Sequence, residues 1–260
     1  MSEDYPIADL KEPKVDSTLA KGLSILEKLA SSNNSMGVTE LSKALNLTKS
    51  NTFRLLQSLT TLGYVKHNPD KTYAATLKTW QVGRVLLDNL NLRDLAAPEM
   101  KYLSKETGET VYLAVPENLA VVYIDKLDSP KPIRSWNPIG GSAPIHCVGT
   151  GKAILAQNYD TLRAHVSGRL TRHTDLTLTN LAELDADIEE TRRRGFAYDR
   201  GEFRDRIVSL GAAITLPSGE AIAALGVSLP DVNIPEKGVD WLGSLVAHAA
   251  DSITSKVRKS

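Results

Sequence analysis

Lys49, Ser50, Asn51, Thr52 and Arg54 open one apolar-periodic stretch of the chain, and their types suit one kind of chemistry. Hydroxyls and Lys ammonium groups bind phosphate oxygens, while Asn and Arg form paired hydrogen bonds with the edges of bases. Such a set on the exposed first turn of a helix is what entry into the major groove of a duplex requires. A solvated helix face also carries polar residues, so the neighbouring elements decide between the two readings.

From Val38 to Gly63, the segment VTELSKALNLTKSNTFRLLQSLTTLG predicts two short helices. Val38, Leu41, Ala44 and Leu45 recur at helical spacing, Asn46 interrupts them, and Leu47 offers an apolar plug for the turn. Thr48 is the expected N-cap of a second helix from Lys49 to Leu62, with Phe53, Leu56, Leu59 and Thr60 on one face and Gly63 as its left-handed stop. Two helices joined this way make a helix-turn-helix. Upstream, Leu19, Leu23, Leu26 and Leu29 mark a first helix capped by Ser17 or Thr18, and Ser31 to Ser35 read as a polar loop. Downstream, residues 64–67 and 71–74 flank Asn68-Pro69-Asp70, which predicts a β-hairpin and so a winged helix-turn-helix. Lys66 and Lys71 on the wing, with Lys21, Lys43 and Thr48, complete the residues expected at a DNA backbone. His67 reads as an exposed wing histidine.

At 260 residues two domains are the natural expectation, and 42% hydrophobic with 24% charged residues describes an ordinary folded chain. The formal net charge of +0 conceals an asymmetry. Between Ser17 and Lys78 eight basic side chains face three acidic ones, so a basic front sits on an acidic remainder. The single cysteine, Cys147, excludes an internal disulfide and any Cys-rich zinc site. The start, MSEDYPIADLKEPK, has no apolar signal-peptide core, and no uncharged apolar run reaches the roughly 18 residues of a membrane span. A cytoplasmic protein without a membrane partner is expected.

In order, residues 1–16 read as a disordered lead-in and 17–76 as the winged domain. Residues 77–97 read as a linker helix over Leu77–Leu95, with Trp80, Gly83, Leu87 and Leu90 on one face and Pro98 ending it. Its apolar character suggests that it buries surface against a partner subunit. Residues 98–260 predict a helix through Met100 and Leu103 to Gly108, then strands Thr110–Val115, Ala120–Lys126 and Ile133–Asn137. A loop at Pro138–Pro144 follows, then helices Gly149–Gln157, Asp160–Ser167 and Asn180–Arg194, the last stopped by Gly195. Strands Phe196–Asp199, Ile207–Leu216 and Ala221–Leu229 precede a closing helix carrying Val239, Leu242, Leu245, Val246, Ala249 and Ile253. Helices interleaved with largely antiparallel strands make an α+β, sensor-like domain.

Three other chemistries fail on spacing. Gly149-Thr150-Gly151-Lys152 resembles part of a P-loop, but His146 stands where the first Gly belongs and Ala153 replaces the metal-binding hydroxyl. His146 and Cys147 are adjacent, and on an extended segment adjacent side chains point opposite ways, so no nucleophile–base pair is expected. His165 and His173 lie among Arg163, Arg169 and Arg172 without the Cys or carboxylate spacing of a metal site. The run Arg192-Arg193-Arg194 follows Asp185, Asp187, Glu189 and Glu190 on one helix, which predicts local pairing. No metal, cofactor or catalytic residue is expected.

Four blocks in order resemble the IclR family of bacterial transcriptional regulators: LAKGLSIL from Leu19, LTKSNTFRLLQSLTTLGYV from Leu47, PIHCVGTGKAILA from Pro144, and RGFAYDRGEF from Arg194 with the strand Ser209–Ile214 after it. The resemblance runs from about Ser17 to Val257 and implies a winged helix-turn-helix joined by a helix to a GAF-like ligand-binding domain. It implies dimers, often paired into tetramers, that act at operators of catabolic genes and answer to small organic molecules, frequently carboxylates or aromatic acids. Carried over position by position, the implied effector site is Ala143, His146, Gly149, Thr150, Asp199, Ile207, Ser209 and Ser228. Gly226 stands where some relatives carry Ser, so one polar contact is missing.

The residues agree in part. Gly149, Thr150 and Gly151 open a helix whose first N–H groups and positive dipole end suit an anion. Asp199 would repel a carboxylate unless it meets a hydroxyl, an amide N–H or a proton, so an effector carrying both an anion and a donor is expected. The competing classes are an enzyme or small-molecule carrier whose front domain only packs, marked by turnover without DNA, and a protein-binding adaptor, marked by no response to DNA.

Overall fold

The computed structural model describes residues 16–32, 35–82 and 92–258, and the chain divides into two compact units between residues 89 and 90. Residues 1–15 of the expected lead-in and the middle of the expected linker helix, residues 83–91, lie outside the described residues.

In the front unit, helix α1 spans Ser17–Ser31 and buries Ile25, Leu26 and Leu29. Its cap is Asp16, one residue before the expected hydroxyls, whose Oδ1 accepts from Thr18 N and Leu19 N at 2.9 and 2.8 Å. A carboxylate at that position also meets the positive end of the helix dipole. Helices α2 (Val38–Ala44) and α3 (Lys49–Thr61) flank a turn in which Asn46 takes a φ of +52°. Thr48 caps α3 as its type predicts, with Oγ1 accepting from Asn51 N at 3.3 Å, and Gly63 stops it at φ +80°. The inward stripe of α3 is rotated from the expected one, with Thr52, Leu55 and Leu56 buried and Phe53 45% exposed. Buried Thr52 is tolerated because its hydroxyl donates to the Thr48 carbonyl at 3.0 Å.

Strands β2 (Val65–His67) and β3 (Thr72–Ala75) form the expected wing, and a short β1 (Met36–Gly37), to which the sequence pattern assigns no element, pairs with β3 through Met36 and Tyr73. The wing turn is held by Asp70, which accepts from both Thr72 N and Thr72 Oγ1. Residues 78–82 are helical, and Lys78 Nζ donates to the Leu62 carbonyl at 2.7 Å beyond the end of α3. Ile25, Leu29, Met36, Leu41, Leu56, Val65 and Tyr73 form the core of this unit.

The rear unit begins with α4 (Leu92–Thr107), which runs through Pro98 instead of breaking there. Its buried residues Leu92, Ala96, Met100 and Leu103 fall on one stripe. Burying four side chains outweighs the roughly 3 kcal/mol that an interior proline costs.

Six strands follow in the order β6-β5-β4-β9-β8-β7, each pair antiparallel: β4 (Thr110–Glu117), β5 (Ala120–Leu127), β6 (Ser142–Pro144), β7 (Ala197–Arg204), β8 (Ile207–Thr215) and β9 (Ala221–Pro230). The strand expected at Ile133–Asn137 is irregular chain, and the edge is supplied by β6 from within the expected loop. Alternation does not settle that choice. Thr110 Oγ1 donates to the Ser135 carbonyl and Asn137 N to the Tyr112 hydroxyl, so side chains of β4 satisfy this segment in place of a ladder.

Helices α5 (Gly149–Gln157), α6 (Tyr159–Val166) and α7 (Leu181–Arg194) pack on one face of the sheet, with Ile154, Leu155, Leu184 and Ile188 central to that core. Helix α8 (Gly238–Val257) packs on α4 and on β8. Gly195 ends α7 at φ +79°, as its type predicts. The start of α5 lies directly on strand backbone. A Cβ at Gly211 would overlap the Gly149 carbonyl, and one at Gly226 would sit 2.6 Å from Thr150 Cγ2. Those two glycines set the height of α5 above the sheet.

Candidate nucleic-acid interface and effector cavity

Seating α3 on α1 and α2 through Thr52, Leu55 and Leu56 turns Lys49, Ser50 and Arg54 outward, and all three are exposed, as are Lys43 and Thr48. Asn51 is partly covered. Thr52, expected among the DNA contacts, is fully buried, so its hydroxyl serves the helix and not a duplex. Lys66 and Lys71 are exposed on the wing, and Lys21 is half-buried on α1. None of these six cations has a carboxylate partner among the described residues. His67 is exposed and packs its ring 4.6 Å from that of Tyr73. This face therefore carries positive charge that no carboxylate among the described residues pairs, which is the electrostatic condition for phosphate binding.

In the rear unit, a small cavity of about 20 Å³ opens between α5 and the sheet. Five of the eight expected effector residues line it: Thr150, Asp199, Ile207, Ser209 and Ser228. Gly149 adjoins it through an N–H that donates to Ser209 Oγ at 2.9 Å, and Ser209 in turn donates to Asp199 Oδ2 at 2.7 Å. The first N–H of α5 is thus spent on a hydroxyl of the protein instead of awaiting an anion. Asp199 Oδ1 accepts from Gly201 N and Glu202 N at 2.9 and 2.7 Å, so both its oxygens have internal donors. Burial nonetheless pushes the Asp199 carboxyl up to about 7. The Ser209 hydrogen bond opposes that rise and the neighbouring charge of Glu202 adds to it.

Side chains that sequence reasoning did not name complete the wall. Tyr112 and Tyr123 stand on neighbouring strands with ring centroids 4.7 Å apart, and both line the cavity with Thr150. Ser228 Oγ donates to Ser135 Oγ at 2.9 Å. Phe203 and exposed Arg204 stand at the rim, where the Arg204 guanidinium donates to the Trp136 carbonyl at 2.8 Å and has no carboxylate partner among the described residues. Strand parity places Tyr112 on the inner face. Arg204 carries no such signal, because a register shift separates it from Asp199 on β7. The absence of a side chain at Gly226, which also lines the cavity, has a steric reason in Thr150.

Ala143 and His146 do not reach this cavity. They line a second hollow of about 460 Å³ with Leu119, Val166, Arg169 and His173. His146 and Cys147 are also not arranged as an extended pair: residues 145–148 turn, so ring nitrogens of His146 and His173 and the Cys147 sulfur all lie within 4.8 Å of one another. Burial pushes the Cys147 thiol far up, which disfavours it as a nucleophile. Lys152, the P-loop-like lysine, is fully buried at 2.8 Å from both Asp187 Oδ2 and Glu202 Oε1 and 2.7 Å from the Tyr198 carbonyl, out of reach of any phosphate. Burial raises the Glu202 carboxyl while the Lys152 ammonium pulls it back. The arginine run at the end of α7 pairs locally, Arg193 and Arg194 with Glu190, while Arg192 also donates to the Ala156 carbonyl of α5. No described helix is long and apolar enough to cross a membrane.

Residues 18–69 match the IclR helix-turn-helix domain, and residues 85–255 match the bacterial transcriptional regulator IclR C-terminal domain. The chain is 33% identical over 243 residues to the transcriptional repressor IclR of Escherichia coli K12, covering 91% of this chain and 88% of that protein. Among solved structures, the Thermotoga maritima IclR is 27% identical with a TM-score of 0.75, over 92% of this chain and 98% of that one. An IclR homologue of Microbacterium hydrocarbonoxydans complexed with 4-hydroxybenzoate shares the fold at 22% identity and a TM-score of 0.79, over 94% of this chain and all of that one (100%). With both of its units matched in order, this chain belongs to the IclR family of bacterial transcriptional regulators.

Proposed function

We propose that this protein is a repressor, and not an enzyme, that binds a pseudo-palindromic operator of catabolic genes as a homodimer or a tetramer of paired dimers and responds to a small organic acid. The observation that carries the DNA part is the set of exposed cations around the nose of α3, which have no carboxylate partner among the described residues. Lys49, Ser50 and Arg54 enter the major groove, while Thr48, Lys43, Lys66, Lys71 and Lys21 contact backbone. Exposed Leu19 and Leu23 on α1, with Leu77 and Val82 beyond the wing, give the front unit apolar surface that a second subunit would cover.

For the effector, the cavity offers hydroxyls at Tyr123, Thr150 and Ser228 and a cation at Arg204. That combination favours a compact molecule with a carboxylate toward Arg204 and a hydroxyl or amide donor deeper in, the class to which the ligand of the Microbacterium neighbour belongs. At about 20 Å³ the cavity holds roughly one water, so an organic acid enters only as Phe203 and Arg204 move aside. Binding an opened wall and not a closed one is the differential affinity through which a ligand shifts a population.

Fluorescence anisotropy with a duplex from upstream of the protein's own gene, titrated across ionic strength, tests the reading. Affinity should fall steeply with salt, and replacing Lys49 by Ala should lower the slope of log K against log salt by about 0.9. Affinity indifferent to salt, or no binding at low ionic strength with and without organic acids, rejects it.

A further inference from the structure

We propose a second site, distinct from the effector cavity: His146, Cys147 and His173 bind one divalent transition metal ion of the zinc class. Their three donor atoms lie within 4.8 Å of one another, brought together by the turn at residues 145–148 and by the loop after α6. A tetrahedral zinc ion with sulfur at about 2.3 Å and nitrogen at about 2.0 Å holds its donors roughly 3.5 Å apart. Closing that gap takes about an ångström, and His173, whose side chain is exposed, has the freedom to supply it.

The surroundings support the assignment independently. His146 Nε2 lies 3.2 Å from the Thr171 carbonyl. Since a carbonyl only accepts, Nε2 carries the proton and Nδ1 keeps its lone pair, the arrangement in which an outer hydrogen bond orients a ligating imidazole. Both imidazoles border the 460 Å³ hollow, which leaves room for a fourth ligand from solvent. One thiolate and two neutral imidazoles select zinc, cobalt or copper over calcium or magnesium. Binding displaces the Cys147 proton to solvent, so metal uptake releases one proton.

The site joins two parts of the rear unit that carry effector residues. His146 and Cys147 directly precede the start of α5, where Thr150 stands. The His173 ring packs edge-on against Phe203, centroids 5.2 Å apart, and Phe203 walls the effector cavity. A bound ion therefore pins the loop carrying His173, and with it the movable wall of the cavity.

Cobalt(II) titrated into the chelator-stripped full-length protein reads the site directly, because only sulfur ligation gives a near-ultraviolet thiolate-to-cobalt charge-transfer band. One equivalent should generate the band, zinc should displace it, and Cys147→Ser should abolish it. Because Cys147 is buried and its replacement can disturb folding, exposed His173→Ala is the second variant; as loss of a direct ligand it should weaken cobalt binding by at least the roughly tenfold to hundredfold that loss of an outer partner costs. His165→Ala should change nothing. Absence of the band in the wild-type protein, or affinities equal across wild type, Cys147→Ser and His173→Ala, overturns the proposal, whatever the protein does with DNA.

Discussion

The nose of α3 and the cavity beside α5 are both polar, yet they treat their polar groups in opposite ways. Around α3, Lys49, Arg54, Lys66 and Lys71 are exposed with no acidic partner among the described residues. Around α5, Gly149 N–H, Ser209, Asp199, Lys152 and Glu202 are linked to one another by bonds of 2.7 to 2.9 Å. A surface left unsatisfied waits for a partner of opposite charge. A network whose members already bond one another holds a shape, and the cavity's rim, at Arg204 and Phe203, keeps the exposed cation. Changes in the first region should therefore alter binding without altering stability, and changes in the second should cost stability whatever else they do.

Lys152→Ala gives the largest expected effect. It leaves Asp187 and Glu202 without the cation buried between them and should lower unfolding free energy by about 3–5 kcal/mol in denaturant titration. Next comes Gly211→Ala, whose methyl group meets the Gly149 carbonyl; lifting α5 should cost about 1–3 kcal/mol of stability and weaken effector binding together. On the other side of the comparison, Arg54→Ala should weaken operator binding by about 1–3 kcal/mol while its unfolding midpoint stays within about 0.5 kcal/mol of wild type. If Arg54→Ala destabilised the chain as Lys152→Ala does, the contrast between the two regions would disappear.

The smallest effect is one of pH. Asp199, facing Ser209, Glu202 and the more distant Lys152, titrates at about 7, so an anionic effector meets a largely neutral carboxyl below that value and a charged one above it. Effector affinity should fall as pH rises through 7, and calorimetry at pH 6 and pH 8 shows it. The same raised value means that the folded state holds a proton which the unfolded chain has lost. This group's contribution to stability therefore declines between about pH 4, the unfolded value, and pH 7.

How much could be read in advance follows the same division. The winged domain is built from short-range signals: Thr48 as cap, Gly63 as stop, Asn46 in the turn, Asp70 in the wing. Each acts within a few residues, so composition and spacing find it. The misread points there, Thr52 inward and Phe53 outward, differ by one position on a helix, about 100° of rotation that only packing on α1 decides. Cavity residues such as Thr150, Asp199 and Ser209 were found by likeness to a family. The roles they play, a hydroxyl relay between a helix N–H and a buried carboxyl, depend on partners sixty and ten residues apart. Tyr112, Tyr123 and Arg204 come from three strands whose adjacency no local pattern states. Pro98 inside α4 and the strand at Ser142–Pro144 show tertiary burial overriding local propensity in both directions.

In the proposed regulator the front unit holds DNA and the rear cavity decides how firmly. The most direct measurement is operator affinity with and without a saturating hydroxylated aromatic acid, in the wild-type protein and in Arg204→Gln. The wild type should show a shift of about 5- to 150-fold, and Arg204→Gln should keep the ligand-free affinity while losing most of that shift. An equal shift in both proteins, or a loss of ligand-free DNA binding in the variant, would contradict the account.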